Sequence, residues 1–197
     1  YLRGGYYYLE ESFVLSQEDS APEGKKTYWM NYPNEKPVLS GGRIVSDWRF
    51  RNGLYEAQLE PDLPIRNLFI DGERKIRARS VGANGLAKSA IGFSIAEGCE
   101  FSNMRNWENV QDVELVSYNS WKMFRLGVDN VSDTMIRTTQ EQWAAATATA
   151  AYSVSELRWV ENAMELLDQE NEWYYNRTTG KIYYKPQADE KLRSSEV

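Results

Sequence analysis

The sequence YWMNYPNEKPVLSGG, residues 28–42, contains the pattern that decides the fold class. Two short runs rich in aromatic and aliphatic residues are each followed by Pro, Asn or Gly residues that favour turns. The same pattern precedes them, with YYYL at residues 6–9 and FVL at residues 13–15. Short strands joined by turns are therefore predicted throughout residues 1–48.

Strand patterns continue towards the middle of the chain. Residues 53–59, GLYEAQL, alternate apolar and polar side chains as a half-buried strand does. The turn dipeptide Asp71-Gly72 separates LFI at residues 68–70 from KIRAR at residues 75–79. This arrangement predicts a hairpin over residues 66–79.

The second half of the chain combines further strands with one predicted helix. Residues 80–106 favour a loop with a short strand near 91–95, and strands are predicted at 112–116, 121–126 and 128–136 around a turn at 118–120. The alanine-rich residues 144–151 are compatible with a helical turn or a mobile loop. Apolar residues at helical spacing predict a short amphipathic helix near residues 160–168: Val160, Ala163, Met164, Leu166 and Leu167.

The last predicted element is an aromatic hairpin over residues 173–186. Two runs, WYY and IYY, flank a turn that contains Gly180. Glycine takes a positive φ at no steric cost, which a tight loop of this kind requires. The polar residues 187–197 follow as a tail.

Charge and composition exclude several classes of function. The formal net charge is −6, and no basic patch of the kind that binds nucleic acid is visible in the sequence. Histidine is absent, so Ser-His-Asp and Cys-His catalysis are nearly excluded. Cys99 is the single cysteine and cannot form an intrachain disulfide, so a small buried apolar role is predicted for it. No run reaches the ~18 apolar residues of a membrane span.

Several blocks together resemble a known family. They are Gly4-Gly5 with Tyr7, residues 32–42, residues 68–79, residues 107–125, and residues 161–174 with 180–186. The combination is similar to the N-terminal portion of right-handed parallel β-helix proteins that act on carbohydrates, the pectate-lyase-like group that includes glycoside hydrolases. The resemblance covers most of the chain in patches and is weakest over residues 80–106 and 138–158.

The resemblance implies a fold and a division of the chain. The expected class is mainly β, with the cap and first coil of a right-handed parallel β-helix and a small antiparallel β domain that contains one short α-helix. The opening segment and first coil would occupy residues 1–48, and the inserted antiparallel domain residues 49–186. Residues 187–197 would lead to further coils, because a solenoid needs ~3 or more stacked repeats to bury a continuous core.

The resemblance also implies a function. The parent protein would be a secreted, polysaccharide-degrading glycosidase, and this chain would not turn over substrate in isolation. Its expected partner is a polysaccharide or oligosaccharide, and the oligomeric state stays open. The alternatives are a non-catalytic carbohydrate-binding module and part of a Ca²⁺-dependent polysaccharide lyase.

Candidate catalytic residues cannot be chosen from the sequence. Glycoside hydrolysis requires two carboxylates across the scissile bond, but the chain has 29 acidic residues. Three pairs are close in sequence, and for each a solvated strand face or turn is the favoured interpretation: Asp71 with Glu73, Asp112 with Glu114, and Asp129 with Asp133. The resemblance implies that the catalytic carboxylates lie on later coils, outside this chain. No cofactor and no metal site are predicted, since no EF-hand loop occurs.

Four residues are candidates for binding a sugar. Arg77 and Arg79 share one face by strand alternation and could bind uronate carboxylates in a bidentate manner, although a charged solvent face of the hairpin is the favoured interpretation. Tyr174 and Tyr183 are candidates because alternation in the last hairpin gives one buried face and leaves the other as a possible exposed aromatic strip.

Overall fold

The computed structural model describes residues 1–119, 121–192 and 195–197. Ser120, Arg193 and Ser194 lie outside the described residues, so the predicted turn at 118–120 and the predicted tail are described only in part. The chain divides into two compact units, one of Tyr1–Ile44 with Glu196–Val197 and one of Val45–Ser195.

The first unit contains one pair of parallel strands. Strand β1 (Gly5–Tyr8) pairs with β2 (Pro37–Ser40), with Gly5 opposite Pro37 and Tyr8 opposite Ser40. A parallel bridge between Leu2 and Asn31 lies beside them. The strand predicted at residues 13–15 is wrong, and at 28–32 only the Asn31 bridge forms; Phe13 and Trp29 instead pack edge-on against each other.

The second unit contains a six-stranded antiparallel sheet. Its order is β13, β10, β11, β12, β9, β8. The strands are β8 (Leu86–Lys88), β9 (Gly92–Ile95), β10 (Glu114–Tyr118), β11 (Met123–Val131), β12 (Met135–Thr138) and β13 (Trp159–Glu161). The strands predicted at 91–95 and 112–116 are confirmed with changed ends, whereas the predicted strands at 121–126 and 128–136 are divided differently, into one strand over Met123–Val131 and a second over Met135–Thr138.

A five-stranded sheet forms the other half of this unit. Its order is β3, β4, β15, β14, β7, and only β7 runs parallel to its neighbour β14. The strands are β3 (Arg49–Arg51), β4 (Leu54–Gln58), β7 (Ile76–Arg77), β14 (Glu172–Asn176) and β15 (Lys181–Tyr184). The predicted last hairpin is confirmed as β14 and β15, and Gly180 in its loop has φ of 72°.

The hairpin predicted over residues 66–79 is confirmed only in its central part. Strands β5 (Phe69–Ile70) and β6 (Glu73–Arg74) pair around Asp71 and Gly72, whose φ values of 51° and 81° suit a type I′ turn. The chain then leaves this hairpin, because β7 pairs with β14. The remaining short strand is β16 (Ser195–Glu196), in which the Ser195 hydroxyl donates to the Val45 carbonyl over 2.7 Å.

The α-helix of the structure lies elsewhere than predicted. Helix α1 (Gln140–Thr147) begins at Thr139, whose hydroxyl accepts from the Gln142 amide, and continues through alanines with high helix propensity. The helical alternative for the alanine-rich segment is thus confirmed for its first half. A 3₁₀ turn at Ala150–Tyr152 follows.

The helix predicted near residues 160–168 is wrong. Val160 and Glu161 belong to β13, Asn162 takes a φ of 63°, and only a 3₁₀ turn at Met164–Leu166 is helical. Residues 160–163 are all buried, so the apolar positions there reflect packing on every side rather than a helical face. Tertiary packing overrides local preference at this segment.

The main core of the second unit lies against one face of the six-stranded sheet. Its central members are Phe93, Leu115, Leu126, Ile136 and Val160, with the partly buried Cys99 packed against them as predicted. The chain is thus mainly β with one short α-helix, and its sheets are largely antiparallel. Within the described residues, parallel pairing occurs at β1 with β2, β7 with β14, and the Leu2–Asn31 bridge, which does not make a stack of parallel coils.

Candidate functional site: a cationic cleft

One face of the six-stranded sheet points away from the core and carries polar and aromatic side chains. Cross-strand partners in an antiparallel sheet share a face. Glu114 on β10 is opposite Glu161 on β13. Val116, the next residue of β10 on the same face of the sheet, is opposite both Trp159 and Arg125. The alternate residues, among them Leu115, are buried in the core. The register therefore gathers charged side chains from three strands on one surface.

Strand β7 and the residues that follow it add two arginines to this surface. Arg79 forms a backbone bridge with Glu161, and Ala78 between the two arginines is buried on the opposite side. Arg77 and Arg79 consequently face the same way, as strand alternation predicted. Both line a cleft of about 520 Å³. The other lining residues are Arg66, Asn67, Arg74, Lys75, Ile76, Met123, Arg125, Trp159 and Glu161.

Arg77 is held by internal carboxylates. Its Nη1 donates to Glu114 Oε2 over 2.8 Å and to Glu161 Oε1 over 3.3 Å. The side chain is only 9% exposed, and its Nε is buried without an acceptor among the described residues. The predicted solvent face is therefore wrong for Arg77. A substrate-binding role for this residue stays a prediction, and the internal ion pairs do not favour it.

Two further arginines share the same carboxylates. Arg66 Nη1 donates to Glu114 Oε2 over 2.6 Å, and Arg125 Nε donates to Glu161 Oε1 over 3.3 Å. Glu161 also accepts from the Trp159 indole N–H over 2.7 Å. Three guanidinium groups thus depend on two carboxylates, and this local network keeps a positive excess.

The electrostatics of Glu114 follow from this network. Burial alone would raise its pKa, but the hydrogen bond from Arg66 and the nearby charges of Arg77 and Arg66 outweigh burial, so the pKa of Glu114 lies below its usual value of 4.5. The hydrogen bond to Glu114 in turn raises the pKa of Arg66. Glu114 is therefore ionised at neutral pH and cannot serve as a general acid there.

Arg79 and Arg74 differ from the other cleft arginines. Neither guanidinium forms an ion pair within residues 1–119, 121–192 and 195–197. Arg79 is exposed and lies over the Trp159 ring, with its Cζ 4.8 Å from the ring centroid. This stacking orients the guanidinium plane. The N–H groups at its edge remain available to a ligand.

The lysine of the cleft is internally paired. Lys75 is buried, and its Nζ lies 3.1 Å from the Asn171 side-chain oxygen and 3.3 Å from Glu190 Oε1. Burial would raise the pKa of Glu190, but hydrogen bonds from Tyr184, the Gln187 amide and Lys75 hold it below its usual value. Lys75 therefore supports the wall of the cleft.

The tyrosine candidates do not form an exposed strip. Tyr174 is 1% exposed and stacks on Tyr183 with ring centroids 6.1 Å apart. Burial raises the pKa of the Tyr174 hydroxyl, which accepts a 3.4 Å hydrogen bond from Asn109. The expectation of an exposed aromatic face is wrong, since Trp173 and Tyr175 are buried as well. Sugar binding by Tyr174 and Tyr183 stays a prediction that this burial does not favour.

The three acidic pairs do not meet across a cleft. Asp112 accepts from the Arg177 amide over 2.9 Å, and burial raises its pKa, whereas Glu114 faces the arginines. Glu73 pairs with Lys75, and Asp133 pairs with Arg105. In the described part of the chain, no group of three or more His, Cys, Asp or Glu side chains is arranged to hold a metal ion.

Sequence reasoning missed most of the cleft. Arg66, Glu114, Arg125, Trp159 and Glu161 come from separate segments, and only the strand register brings them together. The signal that could have found them was the alternation in residues 114–118, which puts Glu114 on the face opposite Leu115.

The part of the chain that contains this cleft matches a known protein family. The profile of the GH141 insertion domain matches residues 57–187. The chain belongs to the GH141 insertion domain family. The matched residues include β6, β7, β11 and β13, so all four strands that line the cleft lie inside the GH141 insertion domain.

Two individual proteins extend this result. A solved structure described as a glycoside hydrolase superposes on 99% of this chain with a TM-score of 0.75 and 26% identity. Adhesin AWP2 of Candida glabrata is 28% identical over 103 residues, which are 51% of this chain. The chain spans 37% of that glycoside hydrolase and 12% of that adhesin. A glycoside hydrolase relationship is thus supported.

No helix among the described residues is long and apolar enough to cross a bilayer.

Proposed function

We propose that this chain is a carbohydrate-binding accessory region of a secreted polysaccharide-degrading glycosidase, and that its cationic cleft contacts the substrate. The membership in the GH141 insertion domain family and the structural similarity to a glycoside hydrolase support a carbohydrate-active parent. The catalytic carboxylates belong, in this proposal, to parts of the parent outside this chain.

The single observation that carries the proposal is the composition of the cleft. Arginine N–H groups are strong donors to the oxygen atoms of a ligand, and their planar geometry gives orientation as well as affinity. The apolar side chains of Met123, Ile76 and Trp159 line the same cleft and can cover the C–H face of a sugar ring. Donors beside an apolar surface are typical of small-ligand sites.

A binding role fits this cleft better than a catalytic role. Glu114 and Glu161 are the carboxylates that pair with the cleft arginines, yet both accept from one nitrogen of Arg77. A glycosidase needs one carboxylic acid that is protonated at working pH. The low pKa of Glu114 and the three N–H donors on Glu161 make this pair an anchor for arginines.

The β-helix architecture remains part of the proposal. The parallel pair β1–β2 is the kind of pairing that successive coils of a parallel β-helix make. The same unit exposes several large apolar side chains: Tyr6, Phe13, Val14, Leu15, Tyr28, Trp29 and Leu39. An exposed apolar surface of this extent suits a face that further coils cover in the parent. Secretion is proposed on the same basis, since extracellular polysaccharides are the expected substrates.

Affinity electrophoresis through gels containing neutral or acidic polysaccharides tests the proposal. The chain should be retarded by at least one polysaccharide, and Arg79→Ala should weaken the retardation. Arg158→Ala is the matched control, because Arg158 is also exposed and stacks on an aromatic ring at 4.8 Å but does not line the cleft. Retardation by no polysaccharide, or an equal loss in both variants, would contradict the proposal.

A second candidate function is a non-catalytic adhesive module. The observation that favours it is the similarity to the adhesin over 103 residues. Expression of the complete parent protein separates the two functions. Release of reducing sugar from a polysaccharide supports the glycosidase, and binding to polysaccharide without any release supports the module.

A further inference from the structure

We infer that the cationic cleft selects a sugar that carries a carboxylate, which means a uronic acid residue of an acidic polysaccharide. This inference rests on the proposed function, because it names the class of sugar that the accessory region binds. Its basis is the charge balance and donor geometry of the cleft.

The charge balance of the cleft is opposite to that of the chain. The whole sequence has a net charge of −6. The cleft, in contrast, is lined by five arginines and one lysine and by a single carboxylate, that of Glu161. Glu114 adds a second carboxylate at its margin through Arg66 and Arg77. Even with Lys75 neutralised by Glu190, the cationic groups outnumber the anionic ones, and an anionic ligand would restore the balance.

Besides the unpaired Arg74, two arginines of the cleft have free donors. Arg125 uses its Nε for Glu161, and its two terminal nitrogens have no acceptor among the described residues. Arg79 donates none of its guanidinium N–H groups to a described acceptor and is oriented by Trp159. Arg79 is the backbone bridge partner of Glu161, and the Glu161 carboxylate pairs with Arg125, so both arginines neighbour one residue of the cleft.

Arg77 gives an independent indication that the network lacks an acceptor. Its side chain is more than nine-tenths buried on the wall of the cleft, and its Nε donor has no described partner. Buried polar groups of native proteins are normally hydrogen-bonded. The network therefore has more hydrogen-bond donors than acceptors, and a bound anion would supply the missing acceptors. An anion beside Arg79 and Arg125 would also add negative charge near Arg77.

The planar fork of arginine matches a carboxylate. Two parallel N–H groups can bond both oxygens of one carboxylate, which gives orientation that a lysine ammonium cannot give. A sulfate ester on a sugar shares the anionic chemistry and is the competing source of the charge. The experiment must therefore separate carboxylate from sulfate as well as charged from neutral.

Isothermal titration calorimetry with the complete chain provides the test. The ligands are a short oligogalacturonate, the same oligomer with its carboxylates methyl-esterified, and a sulfated neutral oligosaccharide of equal length. We expect the oligogalacturonate to bind. The esterified oligomer should bind at least about tenfold more weakly, because its charge-assisted hydrogen bonds are lost. Binding should also weaken as salt increases.

Variants assign the interaction to named residues. Arg79→Gln should lower the affinity for the oligogalacturonate about tenfold, and Arg79→Lys should lower it less, because charge is retained without the fork. Arg158→Gln removes the same charge from an exposed, ring-stacked arginine outside the cleft and should leave affinity unchanged. Thermal unfolding of each variant checks that the fold is intact, and Arg125→Gln provides a second variant if Arg79→Gln does not fold.

The outcomes are distinguishable. Equal affinity for the charged and esterified oligomers overturns the inference but leaves the proposed function standing, whereas binding to no carbohydrate contradicts both. Tighter binding of the sulfated ligand overturns the carboxylate assignment. An equal loss of affinity in Arg79→Gln and Arg158→Gln overturns the cleft as the site.

Discussion

Glu114 and Glu161 lie directly opposite each other on neighbouring strands of the six-stranded sheet. Two carboxylates at such a position would repel each other. The guanidinium of Arg77 compensates both, because its Nη1 is 2.8 Å from one and 3.3 Å from the other. The wall of the cleft is therefore stabilised as a set of charges, and removal of either carboxylate increases its positive excess.

Substitution of Glu161 by Gln should destabilise the chain. The change keeps the shape but removes the charge that Arg77 and Arg125 share, and a buried guanidinium without its partner costs about 3 kcal/mol. Urea unfolding followed by tryptophan fluorescence measures this difference. Glu156→Gln, on an exposed side chain, is the matched control and should change the free energy of unfolding by less than about 0.5 kcal/mol. Equal effects of the two variants would refute the prediction.

The contribution of Glu114 to stability should depend on pH in a defined direction. Its pKa in the folded chain is below the ordinary 4.5, so the folded state holds its proton less tightly than the unfolded state. The stabilisation is complete above about pH 4.5 and is lost as the pH falls through the lower folded-state pKa. The difference in unfolding free energy between the natural chain and Glu114→Gln should therefore shrink below pH 4.5.

The comparison of the natural chain with Glu114→Gln also removes the opposing effects of other carboxyl groups on stability in acid. Burial raises the pKa of Asp112 and of Glu172, so protonation of these groups favours the folded state as the pH falls. Both residues are present in the natural chain and in Glu114→Gln, and their effects cancel in the difference. A difference that stayed constant or grew in acid would show that Glu114 is not stabilised by the arginines.

Tyr174 should matter for stability and not for sugar binding. Tyr174→Ala removes a buried ring that stacks on Tyr183, which costs about 3–5 kcal/mol. Tyr174→Phe keeps the ring and loses only the 3.4 Å contact with Asn109, so stability should change by about 1 kcal/mol or less. Affinity electrophoresis of Tyr174→Phe should match the natural chain. Loss of retardation in that variant would restore Tyr174 as a binding residue.

Gly180 and Gly72 allow the cost of a positive φ to be separated from the cost of a steric collision by an added Cβ. Both have positive φ, 72° and 81°, but an added Cβ meets nothing within 4 Å at Gly72. At Gly180 the Cβ would collide with the carbonyl oxygen of Leu59. Gly72→Ala should cost about 1–2 kcal/mol from the left-handed conformation alone. Gly180→Ala should cost clearly more in the same unfolding assay, and equal costs would contradict the collision.

Much of the strand content was predictable because it depends on local patterns. Alternation over residues 53–59 predicted β4, and the position of Gly180 predicted the last hairpin. The same rule placed Arg77 and Arg79 on one face. Alternation does not reveal which residues cover a given face of a strand. Arg77 is covered by two carboxylates from strands that are distant in sequence.

The helix prediction failed for a related reason. Helical spacing of apolar residues near 160–168 arose because consecutive residues there are buried on all sides, and Asn162 changes the chain direction with a positive φ. The buried amide of Asn162 donates to the Asp112 carbonyl over 3.0 Å, an interaction with no signal in local sequence. Conversely, α1 was only one of two open alternatives, because threonines reduce the helix preference of its alanines.

The segment from Ala78 to Ser80 has a kinetic consequence for the cleft. The Ala78 amide donates to the Trp173 carbonyl in the five-stranded sheet, and the Ser80 amide donates to the Val160 carbonyl in the six-stranded sheet. The two sheets share this segment, so a hinge motion that widened the cleft by separating them would have to break these bonds. Access to Arg79 then depends on rotamer changes of exposed side chains, which take picoseconds to nanoseconds. Ligand association at this cleft should therefore be limited by diffusion and charge attraction, with no slow opening step.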